Sequence, residues 1–270
     1  MRIARFQDVA GAVHYGTPID ESHARRLEGD LYQCLSETGD TIEVSRWLAP
    51  VEPVNIFGIG LNYRAHAEET GAKLPENPIL FMKPTTSVTG PGDPILLLPA
   101  SCRHGPEVDY EAELAVIIGR TAKDVPAAQA LDYVFGYSCS NDISARRWQK
   151  HGGAGQWVRG KSFDAFCPLG PVLVTADEIP DPQALDVRCV LNGETMQAGN
   201  TSDMIFTVAE LIAHLSQDTT LLPGTLILTG TPPGVGFARK PPVFLADGDR
   251  VSVEIESIGV LENPVRDASA

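Results

Sequence analysis

The amino-acid sequence predicts a strand-rich α+β fold, with a small module over residues 1–50 followed by a larger domain over residues 51–270. Three observations carry that expectation. Short apolar runs closed by Gly or Pro recur along the chain, and Leu114 to Ile118, ended by Gly119, reads as a buried strand too short for a helix. Leu185, Val187, Cys189 and Leu191 alternate with other residues up to Asn192-Gly193, the strongest short signal of a two-residue hairpin. Sustained helical spacing starts only at about residue 208, where Thr207 and Glu210 form a capping box ahead of Val208, Leu211, Ile212 and Leu215.

Taken in order, the chain opens with short apolar stretches at Ile3 to Phe6 and Ala12 to Tyr15 that suit a pair of strands and carry no recognisable chemistry. Pro50 and Pro53 then stiffen an extended connection, because each proline fixes its own φ and biases its predecessor away from helix. Val54 to Gly60 reads as a strand ending in glycines, followed by a polar, helix-compatible turn through Glu69. If that turn is helical, His66 and Glu69 share one face, and the carboxylate fixes the imidazole tautomer and raises its basicity. The alternative is an ordinary surface pair. Glu69 to Pro78 mixes charge with Gly and Pro and reads as a mobile loop beside the candidate base, which suggests a lid. Leu80 to Lys83 and Pro94 to Pro99 read as short strands. Beyond the central strand, Ala127 to Tyr133 suits a short helix and Val134 to Ser140 a strand that delivers Asp142 to its end. Leu226 to Gly236 reads as a strand running into a rigid glycine-rich turn, and Val251 to Ile255 as a last half-exposed strand.

Composition narrows the function classes. A formal charge of -14 argues against a sequence-independent nucleic-acid binder, which needs a basic face. The five cysteines are widely spaced without a C-x-x-C pair, so neither a disulfide framework nor a zinc knuckle is signalled, and a reducing cytoplasm suits them. No export signal and no membrane anchor is expected, since no stretch approaches the roughly 18 apolar residues of a span.

Candidate chemistry gathers at the central strand. Glu111 and Glu113 stand two apart at its entrance, so in a strand both carboxylates face one way and repel unless a shared proton, a cationic side chain or a divalent metal intervenes. A solvated strand edge is the bland alternative. Asp142 adds a third carboxylate at a strand end, and hard oxygen donors of this kind select Mg²⁺ or Mn²⁺ over zinc. Between Asp142 and Asp164 lie Arg146, Arg147, Lys150, Arg159 and Lys161 with no acidic residue, a cluster that attracts an anionic small molecule unless it is only a solvated basic patch. Gly155 to Ser162 also fits the letters of a P-loop, but Gly152 and Gly153 precede it and Pro168, Gly170 and Pro171 soon follow, so the strand and helix that motif requires are not expected.

Five ordered motifs together resemble the fumarylacetoacetate hydrolase family: Gly60-Leu-Asn-Tyr-Arg-Ala-His66-Ala-Glu-Glu69, Asp109-Tyr-Glu111-Ala-Glu113-Leu, Asn141-Asp142-Ile-Ser-Ala-Arg146, Lys161-Ser-Phe-Asp and Gly230-Thr231-Pro-Pro-Gly. The resemblance runs from about residue 54 to the C-terminus. It implies a mixed β-roll catalytic domain, usually a homodimer, with Mg²⁺ or Mn²⁺ on Glu111, Glu113 and Asp142. It further implies His66 and Glu69 as a water-activating dyad, Lys161 as electrostatic partner of a developing enolate, and Gln149 and Thr231 as substrate contacts. Arg64, Lys83 and Arg146 complete the candidate substrate-binding set. At Ala165 the chain departs from the Thr that many relatives carry. The favoured expectation is hydrolysis of a C–C bond in a 2,4-dioxo acid of the acylpyruvate or fumarylpyruvate type. Decarboxylation or tautomerisation of a 2-oxo diacid on the same site, and a non-catalytic ligand-binding relative, are the alternatives.

Overall fold

A computed structural model describes residues 1–103, 105–150, 155 and 157–268. Its first four strands are β1 (Arg2–Asp8), β2 (Val13–Pro18), β3 (His23–Asp30) and β4 (Cys34–Leu48). They close on themselves, because β1 pairs antiparallel with both β2 and β4. Phe6 fills the closure, fully buried, with the rings of His14 and Trp47 at 5.6 and 5.7 Å. The expected pairing of the two opening strands is present, with Phe6 opposite His14. Strands β3 and β4 escaped the sequence reading because most of their side chains face solvent and leave no apolar pattern.

The chain continues with β5 (Asn55–Gly60), α1 (Arg64–Glu69), β6 (Ile79–Lys83), β7 (Val88–Thr89), β8 (Ile95–Leu97), β9 (Val108–Asp109) and β10 (Ala112–Ile118). Then come α2 (Ala127–Ala130), β11 (Val134–Asn141), β12 (Ser144–Ala145), α3 (Arg146–Lys150), α4 (Trp157–Gly160) and β13 (Cys167–Thr175). The last elements are β14 (Asp186–Leu191), β15 (Glu194–Asn200), α5 (Val208–Ser216), β16 (Thr225–Leu228), β17 (Arg250–Ile255) and β18 (Gly259–Asp267). Strand β1 pairs with β13, and the large sheet runs on through β11, β10, β16, β5 and β6. A second sheet is ordered β15-β14-β17-β18-β8. Both sheets are mixed: β16 lies parallel to β5 and β18 parallel to β8, whereas their other neighbours are antiparallel.

Strand β10 is the hub, and its residues explain why its sequence is uninterruptedly apolar. Leu114, Val116 and Ile118 face one core while Ala115 and Ile117 face the other, so a two-residue period puts apolar side chains on both sides. Every residue from Leu114 to Ile118 is fully buried, and each large one contributes about 1.5–3 kcal/mol. The expected hairpin is present: Asn192 and Gly193 adopt φ of 52° and 85°, the left-handed pair that a tight turn between β14 and β15 requires. The capping box is present too, with Glu210 accepting from the Thr207 N–H at 2.8 Å. All five cysteines are free, and no helix is long and apolar enough to cross a membrane among the described residues.

Candidate active site

The register between β10 and β11 builds the acidic cluster. Ala112 stands opposite Asn141, so Glu111 and Asp142 flank one end of the pair. The Asp142 N–H donates to the Glu111 carbonyl at 2.8 Å, and the Glu111 N–H donates to the Asn141 side-chain oxygen at 2.9 Å. Glu111 itself lies just outside β10, whose pairing begins at Ala112, so its alignment with Glu113 depends on this brace as well as on strand periodicity. Oxygens of Glu111, Glu113 and Asp142 lie within 4.8 Å of one another, all buried, which excludes the solvated-edge alternative. Glu113 accepts the Gly230 N–H at 2.8 Å. Gly230 has φ of 98°, and a Cβ there would stand 2.7 Å from that of Asn62, so only glycine presents its N–H in this way.

Cations partly neutralise the cluster. Lys161 Nζ donates to Glu111 at 2.7 Å, to Ser144 at 2.7 Å, and also to Asp142. Lys83 Nζ donates to the other Asp142 oxygen at 2.6 Å. Arg146 spans Asp109 at 2.8 Å and Glu111 at 2.7 Å, and donates to Gln149 at 3.0 Å. Four buried carboxylates, Asp109, Glu111, Glu113 and Asp142, thus face the three buried cations Lys83, Arg146 and Lys161. The surplus falls on Glu113. Burial, then Asp142, then Glu111 push its carboxyl well above the usual range. For Glu111 burial acts in the same direction but is outweighed by Arg146 and Lys161, which hold it well below that range. Burial would lower Lys161, yet Asp142 and Glu111 reverse the sign and raise it. A surplus negative charge shared by hard oxygen donors fits a divalent cation such as Mg²⁺ or Mn²⁺.

Across the same cavity stands His66. Its Nδ1 is 3.1 Å from Glu69, whose other oxygen accepts the Gly234 N–H at 2.9 Å. His66 is 6% exposed and lines the cavity, whereas its partner Glu69 is exposed, so the pair runs from the cavity wall to the surface. The cavity, about 240 Å³, is lined by His66, Glu111, Glu113, Arg146, Gln149, Lys161 and Thr231 among others. Thr231 donates to the Ala112 carbonyl at 2.9 Å and accepts from Gln197 at 2.7 Å. Residues 70–78 carry no helix or strand, and Thr70 and Ala72 contribute to the cavity wall.

Two expected substrate contacts stand elsewhere. Arg64 is exposed and off the cavity wall, since a helix turns a residue two positions before His66 to a different side. Lys83 has a fully buried side chain held by Asp142 and the Ile143 carbonyl, behind the wall, where it positions a carboxylate. The basic stretch is also less free than its letters suggest. Arg147 pairs with Glu107 at 3.8 Å, and the Arg159 guanidinium stands 4.1 Å over the Phe163 ring. In the P-loop reading, Gln156 and residues 151–154 lie outside the described residues; Lys161, its phosphate-binding residue, is spent on carboxylates. Ala165 is buried with φ of 59°, where a β-branched residue is strained.

The sequence reading assigned no role to Asp109, Gln197, Asn62 or Phe237. Asp109 accepts N–H groups from Gly236 and Phe237 at 2.8 and 3.0 Å as well as Arg146, tying the glycine-rich turn to the site. Gln197 accepts the Ala112 N–H at 2.9 Å while holding Thr231. Asn62 donates to the carbonyls of Thr229 and Phe206 at 2.8 and 3.0 Å and accepts the Phe206 N–H at 2.9 Å. Asn62→Ala strands these buried groups and is expected to cost about 3 kcal/mol in urea unfolding. An unchanged midpoint would show that water replaces all three bonds.

This arrangement defines a class: a strand-rich enzyme fold whose buried carboxylates suit a hard cation opposite a carboxylate-held histidine. The chain belongs to the fumarylacetoacetate hydrolase family, with residues 55–266 matching the domain described as fumarylacetoacetate (FAA) hydrolase C-terminal. It is 50% identical over 220 residues to the mitochondrial oxaloacetate tautomerase Fahd2a of Rattus norvegicus, covering 81% of this chain and 69% of that protein. The crystal structure of 2-hydroxyhepta-2,4-diene-1,7-dioate isomerase from Mycobacterium marinum superposes with a TM-score of 0.85 at 38% identity, over 100% of both chains. Fumarylacetoacetate hydrolase from Exiguobacterium antarcticum gives a TM-score of 0.83 at 37% identity, over 99% of both.

Proposed function

We propose that the protein is a Mg²⁺- or Mn²⁺-dependent enzyme that interconverts the keto and enol forms of a 2-oxo acid. The observation that carries this reading is His66, buried in the wall of the same cavity as the three carboxylates, with Nδ1 committed to Glu69. An imidazole that donates through Nδ1 keeps its lone pair on Nε2, and Glu69 stabilises the cation formed when Nε2 takes a proton. Nε2 therefore removes a proton from the carbon beside the 2-oxo group and returns it on the reverse path. Lys161 and Arg146 offer positive charge where the enolate oxygen develops negative charge. When bound by Glu111, Glu113 and Asp142, the divalent cation supplies Lewis-acid stabilisation of that oxygen. The similarity to an oxaloacetate tautomerase and to a dienedioate isomerase supports proton transfer as the reaction.

Hydrolysis of a C–C bond in a 2,4-dioxo acid is the second reading, since the same His66 and Glu69 pair can deprotonate water and a fumarylacetoacetate hydrolase shares the fold. Following the ultraviolet decay of enol-oxaloacetate beside cleavage of an acylpyruvate panel separates the two. The Mg²⁺-loaded protein is expected to accelerate ketonisation, to lose that activity on chelation and to regain it when Mg²⁺ is returned. Faster acylpyruvate cleavage would move the assignment to hydrolysis. Inertness towards both substrates would leave a ligand-binding protein.

A further inference from the structure

Lys150 has no part in the chemistry described above, yet its side chain helps to line the cavity. It is exposed at the rim, and its Nζ stands 3.5 Å over the Phe237 ring. A ring face leaves ammonium N–H groups free to donate. Among the described residues Lys150 forms no ion pair, whereas the other cations of the cavity wall, Lys161 and Arg146, are both tied to carboxylates. Arg146 supplies a second, independent observation. Its Nε and Nη1 are taken by Asp109, Glu111 and Gln149, while its Nη2 is buried without a hydrogen-bond partner. A buried guanidinium N–H left unpaired is costly unless a ligand atom completes it. Arg146 also packs on Phe237, its guanidinium carbon 4.4 Å from the ring centroid, so one ring gathers both cations. The Phe237 N–H is fixed in turn by Asp109 at 3.0 Å.

We propose that Lys150, together with the unpaired Nη2 of Arg146, receives a second carboxylate of the substrate, so that the cavity selects 2-oxo diacids over 2-oxo monoacids. The inference rests on the reading of the cavity as a 2-oxo acid site. One carboxylate belongs with the 2-oxo oxygen at the acidic cluster, and Lys83 and Lys161 are already engaged by carboxylates there. A second anionic group therefore needs a cation outside that cluster, and Lys150 supplies it. The alternative is a solvated rim lysine that merely covers Phe237.

Lys150 is exposed, so Lys150→Met leaves the fold and the acidic cluster in place. Malate and its 4-methyl ester are suitable probes, because neither binds by way of the proton-transfer step. Calorimetry on the Mg²⁺-loaded protein should show that Lys150→Met weakens malate by about tenfold while leaving the ester almost unchanged, and that Lys150→Arg restores malate. The wild-type preference for malate should shrink as salt rises, because the rim is screened. Equal losses for both ligands, no loss for either, or no wild-type preference for the diacid would overturn the proposal. If malate discrimination behaves as expected but oxaloacetate is not tautomerised, the reaction assignment falls and the role of Lys150 stands.

Discussion

Replacing His66 with alanine is expected to lower turnover of the Mg²⁺-loaded protein by about 10²- to 10⁴-fold, the usual cost of losing a positioned general base. KM should change little, because Arg146, Lys161 and the bound metal hold the substrate's negative charges, while the imidazole bonds to Glu69. The fold should survive as well. His66 sits in the short helix α1, and the Glu69 carboxylate keeps the Gly234 N–H at 2.9 Å after the imidazole is gone. Glu69→Gln should give a milder loss: its one amide oxygen can accept from Nδ1–H only by giving up the Gly234 N–H, and the amide no longer offsets the charge on the protonated ring. Single-turnover kinetics separates proton transfer from a gating role of residues 70–78: a slowed chemical step assigns His66 to the reaction, whereas slowed binding with intact chemistry assigns it to closure.

Glu113→Gln is expected to weaken divalent-metal binding beyond the 10- to 100-fold that loss of an outer-shell partner typically causes, at about the level of a missing ligand. The amide still accepts the Gly230 N–H but carries no charge. The same substitution should stabilise the metal-free protein at neutral pH, because it removes the carboxylate that burial and its neighbours Asp142 and Glu111 disfavour. The sign follows from linkage. A carboxyl raised in the folded state binds its proton more tightly there than in the unfolded chain, so its stabilising contribution is present at low pH. It is lost as pH rises from the ordinary glutamate value near about 4.3 through the raised one. Glu113→Gln should flatten that slope. In wild type, metal uptake must displace the proton, so Mg²⁺ affinity rises with pH across the window and calorimetry in buffers of different ionisation enthalpy should detect a released proton. Mg²⁺ binding without proton release would contradict the charge surplus placed on Glu113.

The central strand was legible because both of its faces are buried, which leaves a continuous run of Leu, Ala, Val and Ile in the sequence. Glu111, Glu113 and Asp142 were legible as strand-end carboxylates, and the register of β10 on β11 brings them together. His66 and Glu69 were legible as a pair because a single helical turn sets their spacing. The supports of the site were not. Asn62 reaches Phe206 across 144 residues and Asp109 reaches Gly236 across 127, so no local pattern marks either as structural. The same holds for the choice among cations. Arg64, Lys83 and Lys150 look alike in the sequence, and only the fold turns the first to solvent, buries the second behind Asp142 and leaves the third at the cavity rim.

Whether His66 moves a proton at the carbon beside the 2-oxo group can be read from proton NMR of oxaloacetate in D₂O with the Mg²⁺-loaded protein. One of the two C3 hydrogens should exchange for deuterium faster than in buffer, stereospecifically, and the excess rate should disappear in His66→Ala. Exchange no faster than in buffer, or an undiminished rate in the variant, would contradict this role of His66.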